Sequence, residues 1–407
     1  MRKYGKAANV LNALVSSTVD IFAQGWLSGN KKLLTGTFLT VCFTILFSTA
    51  QAAVDCAQSI ADIYASKSPA VVQVSSLTIN PYRMEDRISL TSGSGFIIDA
   101  QGLIMTNSHV VFGAQTLSVT LDDGTILPAK LLGADPIFDL AILQIPEPEH
   151  GKLPVLTFAD SDTIRPGDKV VVIGNPMGLE QTVTSGIVSA INRILPDRPR
   201  MLSRPMIQTD SPINLGNSGG PMLDRCGEVI GIASEILGNA QNIGFAIPSN
   251  LARSVVVQLV EKGHLIRPWF GIDGSLLSPE LIKVFNFPLA EGFLVEAVET
   301  NSPAGVAGIV GGRIPVKVGL RSLIMGGDII VEINDIKLKD FDSLQRGFDL
   351  IHIGDTVRLK IFRDGKFFSS ELLITERPLQ PGDVPESSQN FSVQKVPENR
   401  QDKPALR

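Results

Sequence analysis

A serine in a glycine-rich turn, Gly216-Asn217-Ser218-Gly219-Gly220-Pro221, stands between two extended apolar runs in a stretch that begins at Asp210-Ser211-Pro212-Ile213. A serine hydroxyl is a weak nucleophile until a base takes its proton, and attack on a carbonyl creates an oxyanion that needs backbone donors already in place. The turn exposes Ser218, and Gly216 can bring its N–H close with no side chain in the way. Acyl transfer is the chemistry this arrangement can do.

The base must come from four histidines. His150 and His264 lie in loop-like contexts, and His352 sits beside Gly354-Asp355. His109 differs: it follows Gly95 to Ser108, which reads as two strands around a turn, and precedes the apolar Val110-Val111. An orienting carboxylate is expected at Asp139, because a charge opening the run Leu140-Ala141-Ile142-Leu143 is costly to bury without a partner. The chain order is then His, Asp, Ser.

This order and its local sequences resemble the HtrA/Deg family of trypsin-like serine proteases. The matching elements are Thr106-Asn107-Ser108-His109-Val110-Val111, Asp139-Leu140-Ala141-Ile142-Leu143, Gly174-Asn175-Pro176, Gly216-Asn217-Ser218-Gly219-Gly220-Pro221 and Gly244-Phe245-Ala246-Ile247-Pro248. Each is weak alone, and their order makes them strong together. The resemblance implies that His109 is general base and then acid, Asp139 its orienter and Ser218 the nucleophile, with the Gly216 and Ser218 N–H groups as oxyanion hole. It also implies two six-stranded β-barrels with the site between them, and loops at 185–206, 211–217 and 234–242 that switch between ordered and disordered states. A homotrimer with contacts around Val74 to Arg83 follows from the same resemblance. The pocket wall is expected from Pro212, Ile213, Ile232, Ile243, Gly244 and Phe245, with no acid to attract Lys or Arg. Small to medium aliphatic residues are therefore expected before the cut.

Ser92-Gly93-Ser94-Gly95 has the look of a phosphate loop, yet it precedes a strand and lacks a following Lys, so it reads as a strand entry only. Neither clustered ligands nor a phosphate loop calls for a metal or ATP, and no cofactor is expected. With 407 residues, 44% hydrophobic and 19% charged, the chain can bury more than one core. A net charge of -5 and the absence of a long basic run leave no footprint for nucleic acid.

The fold class expected is mainly β. Short apolar runs punctuated by Gly, Pro and Asp continue from Pro69 to Pro248, after a short helix from Ala53 to Ala65. Asn250 to Lys262 reads as an amphipathic helix with Leu251, Val255, Val256, Leu259 and Val260 as its stripe. The segments Pro268-Trp269-Phe270-Gly271-Ile272, Gly292-Phe293-Leu294-Val295, Ser302-Pro303-Ala304, Gly326 to Ile333 and Asp355 to Ile361 look like one PDZ domain, with Val310 to Met325 as an insertion. Such a domain binds a peptide by strand addition and caps its carboxylate, and Phe270, Gly271 and Ile272 match the capping loop.

Lys31-Lys32, the apolar Leu33 to Phe47 and the small residues of Ala50-Gln51-Ala52 read as a targeting segment cleaved before Ala53, an uncleaved membrane anchor being the alternative. Export leads to an oxidising compartment. No bridge between Cys56 and Cys226 follows from their spacing, and free thiols are expected. The polar tail is expected to be disordered. The expected organisation is a signal with a long extension over 1–52, a protease domain over 53–250, a linker helix over 251–265, a PDZ domain over 266–378 and a tail over 379–407.

These parts point to a periplasmic endopeptidase acting on unfolded or damaged envelope proteins and peptides. A peptide-binding chaperone or scaffold with its site mostly off is a second reading, and a regulated protease that makes one cut is a third. An esterase is disfavoured because its nucleophile elbow joins a strand to a helix, whereas more strands follow Ser218.

Overall fold

The computed structural model describes residues 56, 58–79, 88–147, 152–175, 181–194, 205–214, 216–236, 242–318 and 321–379. The targeting segment, nearly all of the tail and parts of the three switching loops lie outside the described residues. A helix, α1 (Ile60–Lys67), capped by the Ser59 hydroxyl, leads into the first barrel. Strands β1 (Val71–Ile79), β2 (Ile88–Ile97), β3 (Leu103–Thr106), β4 (Thr116–Thr120), β5 (Ile126–Asp135) and β6 (Leu140–Gln144) close in the order β1-β2-β3-β6-β5-β4, with a one-turn helix α2 (Ser108–Val111) after β3. Strands β7 (Lys169–Gly174), β8 (Thr182–Arg193), β9 (Met206–Thr209), β10 (Pro221–Leu223), β11 (Val229–Ile236) and β12 (Gly244–Pro248) close a second barrel in the order β10-β11-β12-β9-β8-β7.

Burial explains why many of these strands read as unbroken apolar runs rather than alternating ones. Val72, Ile97, Ile104 and Leu143 fill the first barrel, and Val170, Val172, Val188, Ile207 and Met222 fill the second. Residues of opposite parity, Val71, Phe96, Met105 and Ile142, join Val171, Ile173, Leu223, Ile232 and Phe245 in a seam shared by the two barrels. Strands such as β6, β7, β10 and β12 are therefore buried on both faces, whereas β4, β5 and β8 keep exposed positions, and closure removes the edges that apolar strands would otherwise present.

Helix α3 (Ser249–Lys262) follows the second barrel and ends on the left-handed Gly263. Its Ala252, Val255 and Leu259 enter the seam, whereas Val260 of the expected stripe is exposed, so the buried face turns toward Ala252. The Gly263 carbonyl accepts from the Ala134 N–H of β5 at 3.1 Å, tying the helix back to the first barrel.

The rest is a third β unit with its own core around Phe293, Ile330, Leu344, Leu359 and Ile361. Its elements are β13 (Pro268–Trp269), β14 (Ile272–Leu276), α4 (Pro279–Phe285), β15 (Phe293–Val298), α5 (Pro303–Val306), β16 (Ile314–Val318), β17 (Arg321–Met325), β18 (Ile329–Ile333), β19 (Ile336–Lys337), α6 (Phe341–Asp349), β20 (Thr356–Arg363), β21 (Lys366–Leu373) and β22 (Thr375–Glu376). The main sheet runs β14-β15-β18-β20-β21, so β14 is an edge strand. The insertion at 310–325 holds the separate hairpin of β16 and β17, entered through the loop Gly311-Gly312-Arg313.

Asp135, at the end of β5, is 2% exposed. It accepts the N–H groups of Ile137 at 2.9 Å and Phe138 at 3.4 Å and pairs bidentately with Arg267, whose guanidinium lies 4.2 Å from the Phe138 ring centroid. The pair joins the turn that delivers Asp139 to the strand that opens the C-terminal unit. Arg267→Met strands a buried carboxylate, and a loss of roughly 3 kcal/mol in denaturant unfolding is expected. Arg267→Lys recovers only part of it, because an ammonium cannot reproduce the planar fork.

Cys56 and Cys226 are both disulfide-bonded, which corrects the expectation of free thiols. Pairing is set by tertiary proximity, which a spacing of this length does not report. Among the described residues no helix is long and apolar enough to cross a membrane.

Candidate active site

Asp139 lies between β5 and β6 in the left-handed region, at φ 56°, one of the few residue types that tolerate it. The carboxylate that this conformation presents is 5% exposed and fully engaged. It accepts the His109 backbone N–H at 3.0 Å, both oxygens lie 2.9 Å from His109 Nδ1, and the Ser234 hydroxyl donates to Oδ2 at 2.7 Å. The Asp139 carbonyl in turn accepts from Asn107 Nδ2 at 2.8 Å, fixing α2 and β6 to each other beside the histidine. A carboxylate at Nδ1 holds the proton there and leaves Nε2 as the basic nitrogen, on an imidazole whose side chain is 50% exposed.

Ser218 comes from the second barrel, in the turn before β10. Its hydroxyl donates to the Ser234 carbonyl at 2.9 Å. Ser234 thus meets both halves of the site, its hydroxyl on Asp139 and its carbonyl on Ser218. Sequence reasoning placed Ser234 at the start of a switching loop, whereas it is a buried residue of β11, 2% exposed. The available signal was a hydroxyl set in the apolar strand Ile230-Gly231-Ile232-Ala233.

Gly219 has φ 85°, and a Cβ there would sit 2.1 Å from the Ser94 carbonyl oxygen, so the Ser218 turn can press this close to β2 only with glycine. Among the described residues, the N–H groups of Gly216 and Ser218 donate to no protein acceptor.

Of the expected pocket residues, Ile213 and Gly244 are in contact, since a side chain on Gly244 would strike Ile213 at 2.7 Å. Pro212 is exposed, Ile243 half-buried and Phe245 buried. Ile232 has no exposed surface and belongs to the seam. The strand β8 runs to Arg193, so the first switching loop is strand over its first half.

A second set lies in the C-terminal unit. Phe270 and Ile272 are buried in its core, the Phe270 ring meeting Phe348 of α6 edge-on at 4.7 Å. The Phe270 carbonyl accepts from Ala304 N–H at 3.1 Å and the Gly271 carbonyl from Glu299 N–H at 2.8 Å. The turn's carbonyls are thus drawn toward the domain, beside the edge strand β14 and helix α6.

Asp273 on β14 is held above the usual carboxylate range, first by desolvation and further by Glu296 and Glu299, against the Gly274 N–H that it accepts. A raised carboxyl penalises the folded state above its folded pKa and not below the ordinary value near 3.9. Asp273 keeps much exposed surface, which discounts the effect. Asp273→Asn should raise Tm by about 1–3 °C at neutral pH, with the gain vanishing near pH 3, as read by thermal melts at both pH values.

The aspartate and histidine come from one closed barrel and the serine from the other, and the profile of the trypsin-like peptidase domain matches residues 93–232. The chain belongs to the HtrA-type proteases. It is 31% identical to the solved HtrA-type protease AlgW, in a complex with a decapeptide, at a TM-score of 0.63 over 79% of this chain and 100% of that one. The serine endoprotease from Yersinia pestis is similar, with 32% identity, a TM-score of 0.57 and coverage of 79% and 99%. The periplasmic pH-dependent serine endoprotease DegQ of Escherichia coli strain K12 is 40% identical over 286 residues, 69% of this chain and 59% of DegQ. The chain spans about three fifths of the length of curated relatives such as DegQ.

Proposed function

We propose that this chain is an exported serine endopeptidase that hydrolyses peptide bonds of unfolded or damaged proteins. The observation that carries the reading is the meeting of His109, Asp139 and Ser218 at Ser234. In the proposed mechanism His109 Nε2 takes the Ser218 proton as Oγ attacks the carbonyl, and the N–H groups of Gly216 and Ser218 hold the oxyanion. His109 then protonates the leaving amine, and water, activated by the same histidine, releases the acyl group and restores Ser218. Ile213, Gly244 and the apolar residues around them favour a small or medium aliphatic side chain before the cut.

The C-terminal unit is proposed to be a PDZ domain over 266–378, joined by the linker over 251–265 to the protease domain over 53–250. Its peptide would add beside β14, with its carboxylate at Phe270, Gly271 and Ile272. Residues 1–52 are proposed as the targeting segment, which fits the periplasmic names of the relatives, and assembly as a homotrimer is part of the same reading.

The test is incubation of the full chain with a folded and an unfolded protein, with cleavage sites read by mass spectrometry and Ser218 titrated with a fluorophosphonate. Cuts after aliphatic residues in the unfolded protein, blocked by a label on Ser218, are expected. Tight peptide binding with no cleavage and no labelling would replace this reading with that of a peptide-binding scaffold.

A further inference from the structure

The run Ser92-Gly93-Ser94-Gly95 has no part in the mechanism so far, yet Ser94 is 0% exposed and every polar atom it carries is engaged. Its N–H donates to the Ser218 carbonyl at 2.8 Å, and its own carbonyl accepts from Thr106 Oγ1 at 2.7 Å. Its hydroxyl accepts from the Asn175 N–H at 2.8 Å and donates to the Gly216 carbonyl at 2.5 Å. One residue of the first barrel therefore grips two carbonyls of the nucleophile turn in the second.

The grip on Gly216 bears on the oxyanion hole. Between the Gly216 and Ser218 N–H groups lies a single peptide plane, the one joining Gly216 to Asn217. Its N–H donates to the Asn214 carbonyl at 3.0 Å and its carbonyl accepts the Ser94 hydroxyl. The next plane, which carries the Ser218 N–H, has its carbonyl held by Gly220 N–H at 2.9 Å. Gly216 sits at φ 103° with no side chain to restrict it, so its own sterics do not fix where its N–H points. Holding the Gly216–Asn217 plane on both its N–H and its carbonyl therefore restricts, through the Gly216 Cα, the directions that N–H can take.

We infer that Ser94 is a positioning residue for the oxyanion hole, its hydroxyl locking the Gly216–Asn217 peptide so that the Gly216 N–H converges with that of Ser218. The inference rests on the peptidase reading above. Ser94 touches no substrate. It acts through Gly216: Asn175 N–H can only donate to its hydroxyl and the Gly216 carbonyl can only accept from it, so the hydroxyl proton is committed to the Gly216 carbonyl.

The test uses the full chain, a fluorogenic peptide built on a mapped cleavage site, and a peptidyl boronic acid of the same sequence with the matching peptide acid. Ser94→Ala should lower kcat by about a hundredfold, the scale of losing one oxyanion donor, with KM within about twofold. Affinity for the tetrahedral boronate should fall by a similar factor while the peptide acid binds as before. The pH midpoint of the acid limb should stay in place, since the His109–Asp139 pair is untouched. Thr106→Val is the structural control: it removes an equally buried hydroxyl from the same cluster without touching Gly216, and kcat should stay within about threefold. If Ser94→Ala loses its cooperative melt, Ser94→Cys, which keeps a weaker donor, should fold with a kcat between parent and inactive.

A kcat for Ser94→Ala within threefold of the parent overturns the inference. So does a rise in KM alone, or an equal loss in Thr106→Val. Ser218→Ala is run in parallel: retained cleavage there sinks the peptidase reading and this inference together, whereas its loss beside an unaffected Ser94→Ala sinks the inference alone.

Discussion

Alanine at position 218 is expected to reduce turnover of an unfolded protein by about a million-fold while leaving the protein folded and able to bind that substrate. The side chain removed is small and half-buried, and its one described hydrogen bond runs to the Ser234 carbonyl, which stays in β11 without it. Little stability depends on it, so Tm should hold within a few degrees. The residual rate comes from whatever the oxyanion donors do for attack by water. Initial rates by peptide release, with substrate binding measured by anisotropy, separate the two quantities. A fall of less than a thousandfold would remove Ser218 from the nucleophile role.

Asp139→Asn should cost roughly ten-thousandfold in kcat, for a different reason. The carboxylate now accepts three donors, the His109 N–H, the Ser234 hydroxyl and the ring Nδ1–H. An amide has one oxygen for these and an NH₂ group that must face one of them. Turned toward the ring, it donates to Nδ1 and moves the imidazole proton to Nε2, where a base is needed. Turned toward Ser234, it makes that hydroxyl turn from donor to acceptor and its proton find another partner in a site only 5% exposed. Nitrogen NMR of the His109 ring reports the tautomer, and a parent-like spectrum with parent-like kcat would show that Asp139 does not set it.

The barrels were legible because several of their strands are dry on both faces, which leaves runs such as Leu140-Ala141-Ile142-Leu143 in plain view. His109, Asp139 and Ser218 were legible because each breaks the pattern around it: an imidazole after a strand, a charge opening one, a serine among glycines. Ser234 and Ser94 were not, since a hydroxyl in an apolar strand gains its meaning only from what lies across the fold from it. Ile232 was read as pocket wall because neighbouring residues of one strand look alike in sequence, although side chains alternate and this one faces the seam. The disulfide state of Cys56 and Cys226 escaped for a similar reason, as separation along the chain says nothing of separation in space.

The seam between the barrels also sets the point along the chain at which the two-barrel body is complete. Histidine and aspartate are in hand once β6 is made, but the serine, Ser234 and the apolar residues that hold the halves together arrive with the second barrel, and the seam is completed only by Ala252, Val255 and Leu259 of α3. A chain ending at residue 248 holds both barrels but leaves bare the apolar surface that these three residues cover. The helix is therefore a structural part of the two-barrel body and not merely a link to the unit that follows it.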